Sequence, residues 1–548
     1  MKSLYCIKLM AVLLIGVVGL SAQAPSWVWA AGGGGADDDS GYAVATDSSG
    51  NIYATGKFQG TAMFGATTLT SAGGDEIFVA KLDAAGNWLW ARRAGGLGHD
   101  YSYGLCVDGS GNAYISGYFR DTATFGALSL TASAFNDVFV AKLDPDGNWL
   151  WAVRAGSMAD DYGAGICIGG DGNLRLTGSF NGYASFGATS FGPSGGKDVF
   201  VACLDSSGNW LWAKRAGGLN NDYGFALTCD PQGNTCVTGS FSGIAEFGAT
   251  SLTGQGPYEI YVAKLDPDGN WLWAKRAGGE GSEEGLGVST DSSGNIYLIG
   301  YFEGWTAFGT FPLVSYGSFD GFIAKLDAAG NWLWAKRAGG PADDIGYCLT
   351  TNANGISHIT GYFEETAAFG SASLTSMGYD DIFAAGLDSN GNWLWAERAG
   401  GPESDFAFSI SRDPEGNSYI IGNYKATAFF GPLTVTSSGF SDIFVAKLSP
   451  GVPADDDLVP DVASHSSLSE VWPNPIRPGE TAIIKAFIDD RETGTLKIFN
   501  LRGQIISSQQ LASGEHQISL SSSGLGTGIY LCQLRTPAQV ITKKFVLY

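Results

Sequence analysis

A stride of 61 residues governs this chain. The first Trp of a Trp-x-Trp pair stands at Trp27, Trp88, Trp149, Trp210, Trp271, Trp332 and Trp393. A second marker, a strand of the type Ile-Phe-Val-Ala-Lys-Leu, begins at Ile77, Val138, Val199, Ile260, Gly321, Ile382 and Ile443. Repetition at a fixed period restricts the fold to arrays in which each unit packs on its neighbours. The phase matters as well. The first Trp pair precedes any complete unit, and none follows the last Val-Ala-Lys-Leu. A ring that borrows its final strand from the N-terminus has this pattern.

Each unit reads as four short strands. In the second unit they are A (104–108), B (112–119), C (138–144) and D (149–155), rich in β-branched and aromatic residues and bounded by Gly, Asn and Asp. Asp-x-x-Gly-Asn joins A to B, and a similar run joins C to D, as tight hairpins require. Residues such as Ile77-Phe78-Val79-Ala80 are apolar on both faces, so each sheet must be covered on both sides. Strand A uses small residues, as in Gly163-Ala164-Gly165, which suits the strand nearest a crowded axis. No amphipathic helical period intervenes. The expectation is an all-β chain: a seven-bladed β-propeller of four-stranded blades over 25–449, closed by the strand at Trp27–Ala30. A small C-terminal β-sandwich follows over 468–548, after a Pro-, Asp- and Ser-rich linker at 450–467.

The units also resemble the bacterial seven-bladed-propeller repeat family, on DSSGNIYATG (47–56) and DEIFVAKLD (75–83). That resemblance spans roughly 25–450, implies the fold, and says little about activity. The tail resembles the C-terminal sorting domain of type IX secretion cargo from Gram-negative bacteria. The matching residues are Pro473-Asn474-Pro475, Lys497 to Gln504 with Gly503, Gly528-Ile529-Tyr530, and Lys543-Lys544 before Phe545. The resemblance implies the type IX machinery as a partner and a secreted or cell-surface destination. In the family the tail is commonly removed after export.

The N-terminus fits that route. Lys2 and Lys8, the apolar run Leu9–Leu20, and Ala22 and Ala24 read as a signal peptide over 1–24. No later run of 18 apolar residues offers a transmembrane segment. A formal charge of −23 argues against nucleic acid, whose phosphates need clustered Lys and Arg. The propeller is expected to be monomeric. Cys229 and Cys236 flank a DPQGN turn, where a disulfide would close a hairpin.

Strand order places the short A–B and C–D turns on one face and the D–A and B–C connections on the other. The B–C segment is long and varied, and binding usually resides on variable loops. Two acidic series recur there. Asp39, Asp100, Asp161, Asp222, Glu283, Asp344 and Asp405 open strand A, while Glu76, Asp137, Asp198, Glu259, Asp320, Asp381 and Asp442 precede strand C. They read either as an anionic mouth for Ca²⁺ or a cationic ligand, or as acceptors of backbone N–H groups in Gly-rich turns. Sevenfold recurrence favours the second. No cofactor is expected otherwise, and the Asp-Pro-Asp-Gly-Asn turns lack the remaining ligands of a calcium loop.

Trp305, Tyr258 and Tyr379, with Phe135, Phe319 and Phe440, offer rings beside these acids for stacking on sugars. Catalysis finds little support: the propeller holds only His99 and His358, and no Gly-x-Ser-x-Gly elbow occurs. One repeat position, held by Tyr53, Tyr114, Tyr297 and Tyr419, becomes Arg175, Cys236 and His358 elsewhere. The reading is an exported binding or structural module for glycan or a surface protein. Its alternatives are an extracellular carbohydrate-active enzyme using carboxylates at that mouth and a calcium-dependent adhesin.

Overall fold

The computed structural model describes residues 25–449 and 451, then 467–468, 476–477, 481–488, 493–500, 504–521, 526–536 and 540–547. The expected signal peptide over 1–24, nearly all of the expected linker, Pro473-Asn474-Pro475 and Gly503 lie outside the described residues. Every regular element among the described residues is a β-strand.

In the first complete repeat, strand A is Ser40–Thr46, B is Ile52–Phe58, C is Glu76–Leu82 and D is Trp88–Gly96. They pair antiparallel in the order A–B–C–D. The A–B and B–C ladders recur in the six later repeats. The C–D ladder recurs in the next five. In the last repeat the D place is taken by Ser26–Gly35, which pairs Trp27 with Leu448, Ala30 with Ala446 and Gly33 with Ile443. Each strand A lies against those of the repeats before and after, and that of the first repeat lies against that of the last. The repeats therefore form a closed, propeller-like ring, with Thr46 Oγ1 3.3 Å from Ser411 Oγ across the seam.

The motifs acquire physical roles here. In the Asp-x-x-Gly-Asn turn at Asp83, the carboxylate accepts the N–H groups of Ala85 and Asn87, both at 2.9 Å, while the Gly86 N–H donates to the Asp83 carbonyl. Strand C is buried along its whole length, as Glu76–Leu82 shows, and the core lies between adjacent sheets. At the seam Val44, Ile52 and Ala54 of the first repeat pack with Ile421, Ile443 and Val445 of the last. The two tryptophans divide their work. Trp88 sets its ring edge-on to Phe64 of its own repeat, 5.2 Å between centroids. Trp90 donates its indole N–H to the Pro145 carbonyl of the next repeat at 3.1 Å. Trp29, Trp151, Trp212 and Trp334 make the same bond one repeat onward.

The B–C connection differs from the expected irregular loop. It contains a hairpin, Thr61–Phe64 and Thr67–Thr70 in the first repeat. In the second, fifth and sixth repeats this hairpin is continuous with strands B and C, as in Ala113–Phe125 and Leu128–Leu143. Its first strand pairs with the end of strand D of the preceding repeat: Gly217 with Glu246, Gly218 with Ala245. The approach is so close that a Cβ on Gly218 would sit 1.7 Å from the Ile244 carbonyl oxygen, which is why Ala-Gly-Gly ends most D strands. Where the hairpin strands stand apart from B and C they are only three or four residues long, too short for alternation to mark them in sequence.

The described residues from Ser467 onward belong to a second compact unit. It has a three-stranded sheet (Ser467–Leu468, Thr481–Ile488, Gly514–Ser521) and a four-stranded one (Ile505–Leu511, Gly494–Asn500, Gly528–Arg535, Val540–Leu547). Ile484 and Ile488 of the first share a core with Leu496, Ile498, Tyr530 and Phe545 of the second. Among the described residues no helix is long and apolar enough to cross a membrane, which leaves strands aside.

Removing residues 25–31 strips the last repeat of its outer strand and exposes the edge of strand C. The truncated protein is expected to melt several degrees lower and to associate with rising concentration, as read by circular dichroism and light scattering. Unchanged melting would contradict closure by the N-terminus.

Candidate functional site

The acids that open strand A do not line a mouth. Asp39, Asp100, Asp161, Asp222, Glu283, Asp344 and Asp405 are all buried. Asp39 Oδ2 accepts the Gly35 N–H at 2.7 Å, and Oδ1 accepts that of Gln59 at 2.9 Å. Asp222 does the same with Gly218 and Ser242, and Asp405 with Gly401 and Lys425. Glu283, one methylene longer, faces the Gly279 N–H without closing the bond. Asp39, Asp100, Asp161, Asp222 and Asp405 thus fasten the end of one D strand to the residue after strand B of the next repeat, whereas Asp344 accepts the Gly340 N–H alone. The pre-C acids are buried too. Each accepts an N–H from four residues upstream, as Asp198 does from Ser194 at 2.7 Å, and six of them face an Arg of strand D, as Asp320 does Arg337 at 2.6 Å. The seventh, Asp442, meets no such Arg, because Ser26–Gly35 carries Gly32 at the corresponding place.

Burial raises the strand-A acids, partly against the N–H bonds they accept, and the neighbouring pre-C carboxylate adds to the rise. Asp39, Asp161, Asp222 and Asp405 are pushed up to about 7, Asp100 to about 6, Glu283 and Asp344 to about 8.

The residues that do face the axis stand one and three places after each acid, where strand A alternates between buried and partly exposed. Most are aromatic. A belt of touching rings runs from Tyr162 to Tyr118 (4.9 Å), on to Tyr101 and Tyr103, then from Tyr103 to Tyr42 (4.9 Å) and across the seam to Phe408 (5.5 Å). Phe408 meets Tyr347 at 5.1 Å. In the third repeat the ring three places after the acid is replaced by Ala164, and the belt breaks. The gap is a cavity of about 390 Å³ lined by Tyr103, Tyr162, Ala164, Lys197, Tyr223 and Phe225. Lys197 Nζ spans it, 4.4 Å from the Tyr162 ring centre and 5.7 Å from that of Tyr223. The strand-A signal was present in the sequence as Tyr-x-Tyr, Tyr-x-Phe and Phe-x-Phe after the acids, hidden among the small residues between them.

Lys197 occupies a position that varies freely from repeat to repeat, the residue before each pre-C acid: Asp75, Asn136, Lys197, Tyr258, Phe319, Asp380 and Ser441. In the first repeat Asp75 receives Lys57 Nζ at 2.9 Å, Tyr101 O–H at 2.6 Å and His99 Nδ1 at 2.7 Å. Burial works to raise Asp75, but the bonds from Tyr101 and Lys57 outweigh it and hold the carboxyl below its usual range.

Of the aromatic candidates, Tyr258 packs at 6.0 Å on Tyr223, which lines that cavity. Tyr379 and Trp305 are exposed. Trp305 flanks a separate cleft of about 600 Å³ with Glu280, Glu303, Gln255 and Pro257. Arg175, Cys236 and His358 are buried. His358 bonds Ser418 Oγ at 2.7 Å and is pushed down to about 3 by burial, with Arg412 acting in the same sense. Among the described residues no group of three or more Asp, Glu, His or Cys is placed to hold a metal ion.

Residues 470–548 match the family described as the secretion system C-terminal sorting domain. The tail is a sorting domain. The protein is accordingly a secreted or cell-surface one of a Gram-negative bacterium with a type IX secretion route. Of its sorting residues, Gly528 is exposed, Tyr530 is buried with its O–H bonded to the Gly526 carbonyl at 2.8 Å, and Lys543 and Lys544 lie on the last strand. The chain is 22% identical to an uncharacterized WD repeat-containing protein of Acanthamoeba polyphaga mimivirus, over 74% of this chain and 36% of the relative. It is 23% identical to the regulatory protein FlaEY of Caulobacter vibrioides, over 65% of this chain and 40% of the relative. It spans well under half the length of either. PorZ, a bacterial surface component of the type IX secretion system of Porphyromonas gingivalis, is similar at 13% identity and a TM-score of 0.36, covering 94% of this chain and 60% of its own.

The raised strand-A acids have a consequence for stability. A carboxyl with a folded pKa above its unfolded value stabilises the fold below the unfolded value, and loses that contribution as pH rises through the folded one. Unfolded values lie near 3.8 to 4.5 and folded ones near 6 to 8. Melting temperature is therefore expected to fall by several degrees between pH 5 and pH 8.5 at constant ionic strength. A flat or rising profile would show that the N–H bonds keep these groups ionised throughout.

Proposed function

We propose that the ring of repeats is a seven-bladed propeller and that it serves, outside the cell, as a glycan-binding module. The observation that supports this reading is the cavity at Ala164. Its volume falls within the range of small-molecule sites. Four aromatic rings line it, and flat faces with a polar edge suit the apolar side of a pyranose. Lys197, which has no carboxylate partner among the described residues, supplies a cationic donor at the rim. An acidic sugar would satisfy that charge. Trp305, between Glu280 and Glu303, offers a second stacking face on the next side of the ring.

An enzymatic reading has less support, since thirteen of the fourteen recurrent carboxylates accept a backbone N–H and the fourteenth, Glu283, is buried. A calcium-dependent adhesin would have to use other oxygens, of which Glu280 and Glu303 are an exposed pair.

The test is a glycan array probed with the purified protein and with Tyr162→Ala and Tyr223→Ala variants. Loss of one stacked ring is expected to weaken binding at least tenfold, about 1.4 kcal/mol, and to leave melting nearly unchanged because both rings are partly exposed. Retention of every array signal by both variants would discard the cavity as the site. A Ca²⁺ titration of the same array reads the adhesin alternative.

A further inference from the structure

We propose that Cys167 and Cys229 close a disulfide in the exported protein, tying the innermost strands of the third and fourth repeats together. Cys167 lies on strand A of the third repeat, Tyr162–Ile168, and Cys229 on that of the fourth, Tyr223–Cys229. The two strands are neighbours around the axis, and the sulfurs are 3.2 Å apart. Closing that gap to a bond of about 2.05 Å asks for side-chain rotation, since the strands already meet.

At three other junctions the ring ties its inner strands at this place with hydroxyl groups. Thr290 Oγ1 donates to the Cys229 carbonyl at 3.2 Å, Ser289 Oγ accepts the Thr351 N–H at 3.1 Å, and Thr46 meets Ser411 at the seam. Between the third and fourth repeats two thiols stand in that role. Both are partly exposed, whereas Cys203, Cys236 and Cys532 are buried. The sequence expectation of a Cys229–Cys236 bridge has a different outcome. In the hairpin Cys229 is opposite Thr235, and Cys236 is opposite Thr228. Cys236 then faces the fifth repeat, packed with Val288 and Leu298, while Cys229 faces the third.

The sorting tail sends the chain through an oxidising compartment, where disulfides form and persist. The hydrogen bond from Cys167 holds the Cys229 thiol below its usual range against burial, and Arg175 acts in the same sense. Thiolate is the attacking species. The Cys229 thiolate attacks the disulfide of a periplasmic dithiol–disulfide oxidant, displacing one of its thiolates and forming a mixed disulfide. Cys167, losing its proton, then displaces the second thiolate. Two protein thiols become one disulfide, and their two protons pass to the two thiolates displaced on the oxidant, whose disulfide is thereby reduced to two thiols. Cys106 stands at the matching position of the second repeat, 61 residues before Cys167.

The experiment uses the protein as secreted into the medium, denatured in urea with iodoacetamide and no reductant, then digested and analysed by mass spectrometry. A peptide pair linked through Cys167 and Cys229 is expected, with Cys106, Cys203, Cys236 and Cys348 alkylated. Alkylation of both Cys167 and Cys229 would overturn the proposal, and so would a link from either one to Cys106. Cys167→Ser and Cys229→Ser are each expected to lower melting by about 5 °C, the double variant by no more than either single one. Additive losses would indicate two independent packing contributions and no bond.

Discussion

The ring depends on one contact made many times: the glycine end of a D strand crossing the hairpin of the following repeat beneath a buried carboxylate. Gly218 has no room for a Cβ against the Ile244 carbonyl, and Asp222 accepts its N–H together with that of Ser242. Three segments from two repeats meet on one side chain. A buried carboxylate is costly unless hydrogen-bonded, so the geometry and the acid are retained together or not at all. Sevenfold recurrence of these acids follows from that coupling.

The same parts close the circle. Gly35 crosses Thr61 as Gly218 crosses Ile244, Asp39 accepts its N–H, and Trp27 packs on Phe430 at 5.1 Å as Trp88 does on Phe64. What the closing strand lacks is the arginine. Asp442 has the Ser438 N–H and no guanidinium, so the seam rests on backbone pairing and apolar packing more than the other junctions do.

With the frame accounted for, the residues that differ between repeats stand out. Lys197, Asp75 and Tyr258 are equivalent in the repeat and unlike in chemistry, and Ala164 leaves open the space that rings fill elsewhere in the belt. A periodic scaffold can hold a single site only where its period is broken. Here the breaks gather at the mouth formed by the D–A and B–C connections, beside the third and fourth repeats. A covalent tie between Cys167 and Cys229 would stiffen the hub on the same pair of repeats.

The 61-residue stride by itself determined the ladder order, the short turns and the origin of the closing strand, because pairing and closure follow from period and phase. The tail residues determined the route of export, because a sorting signal is read from its own sequence. The acids were ambiguous: one dimension gives their recurrence but not their burial, and only packing showed that they face inward. The hairpin in the B–C segment stayed hidden in four repeats because its separate strands of three or four residues carry no readable alternation. The aromatic belt, the cavity at Ala164 and the meeting of Cys167 with Cys229 were decided by tertiary structure. They join residues about sixty positions apart, on neighbouring strands that only the closed ring brings side by side.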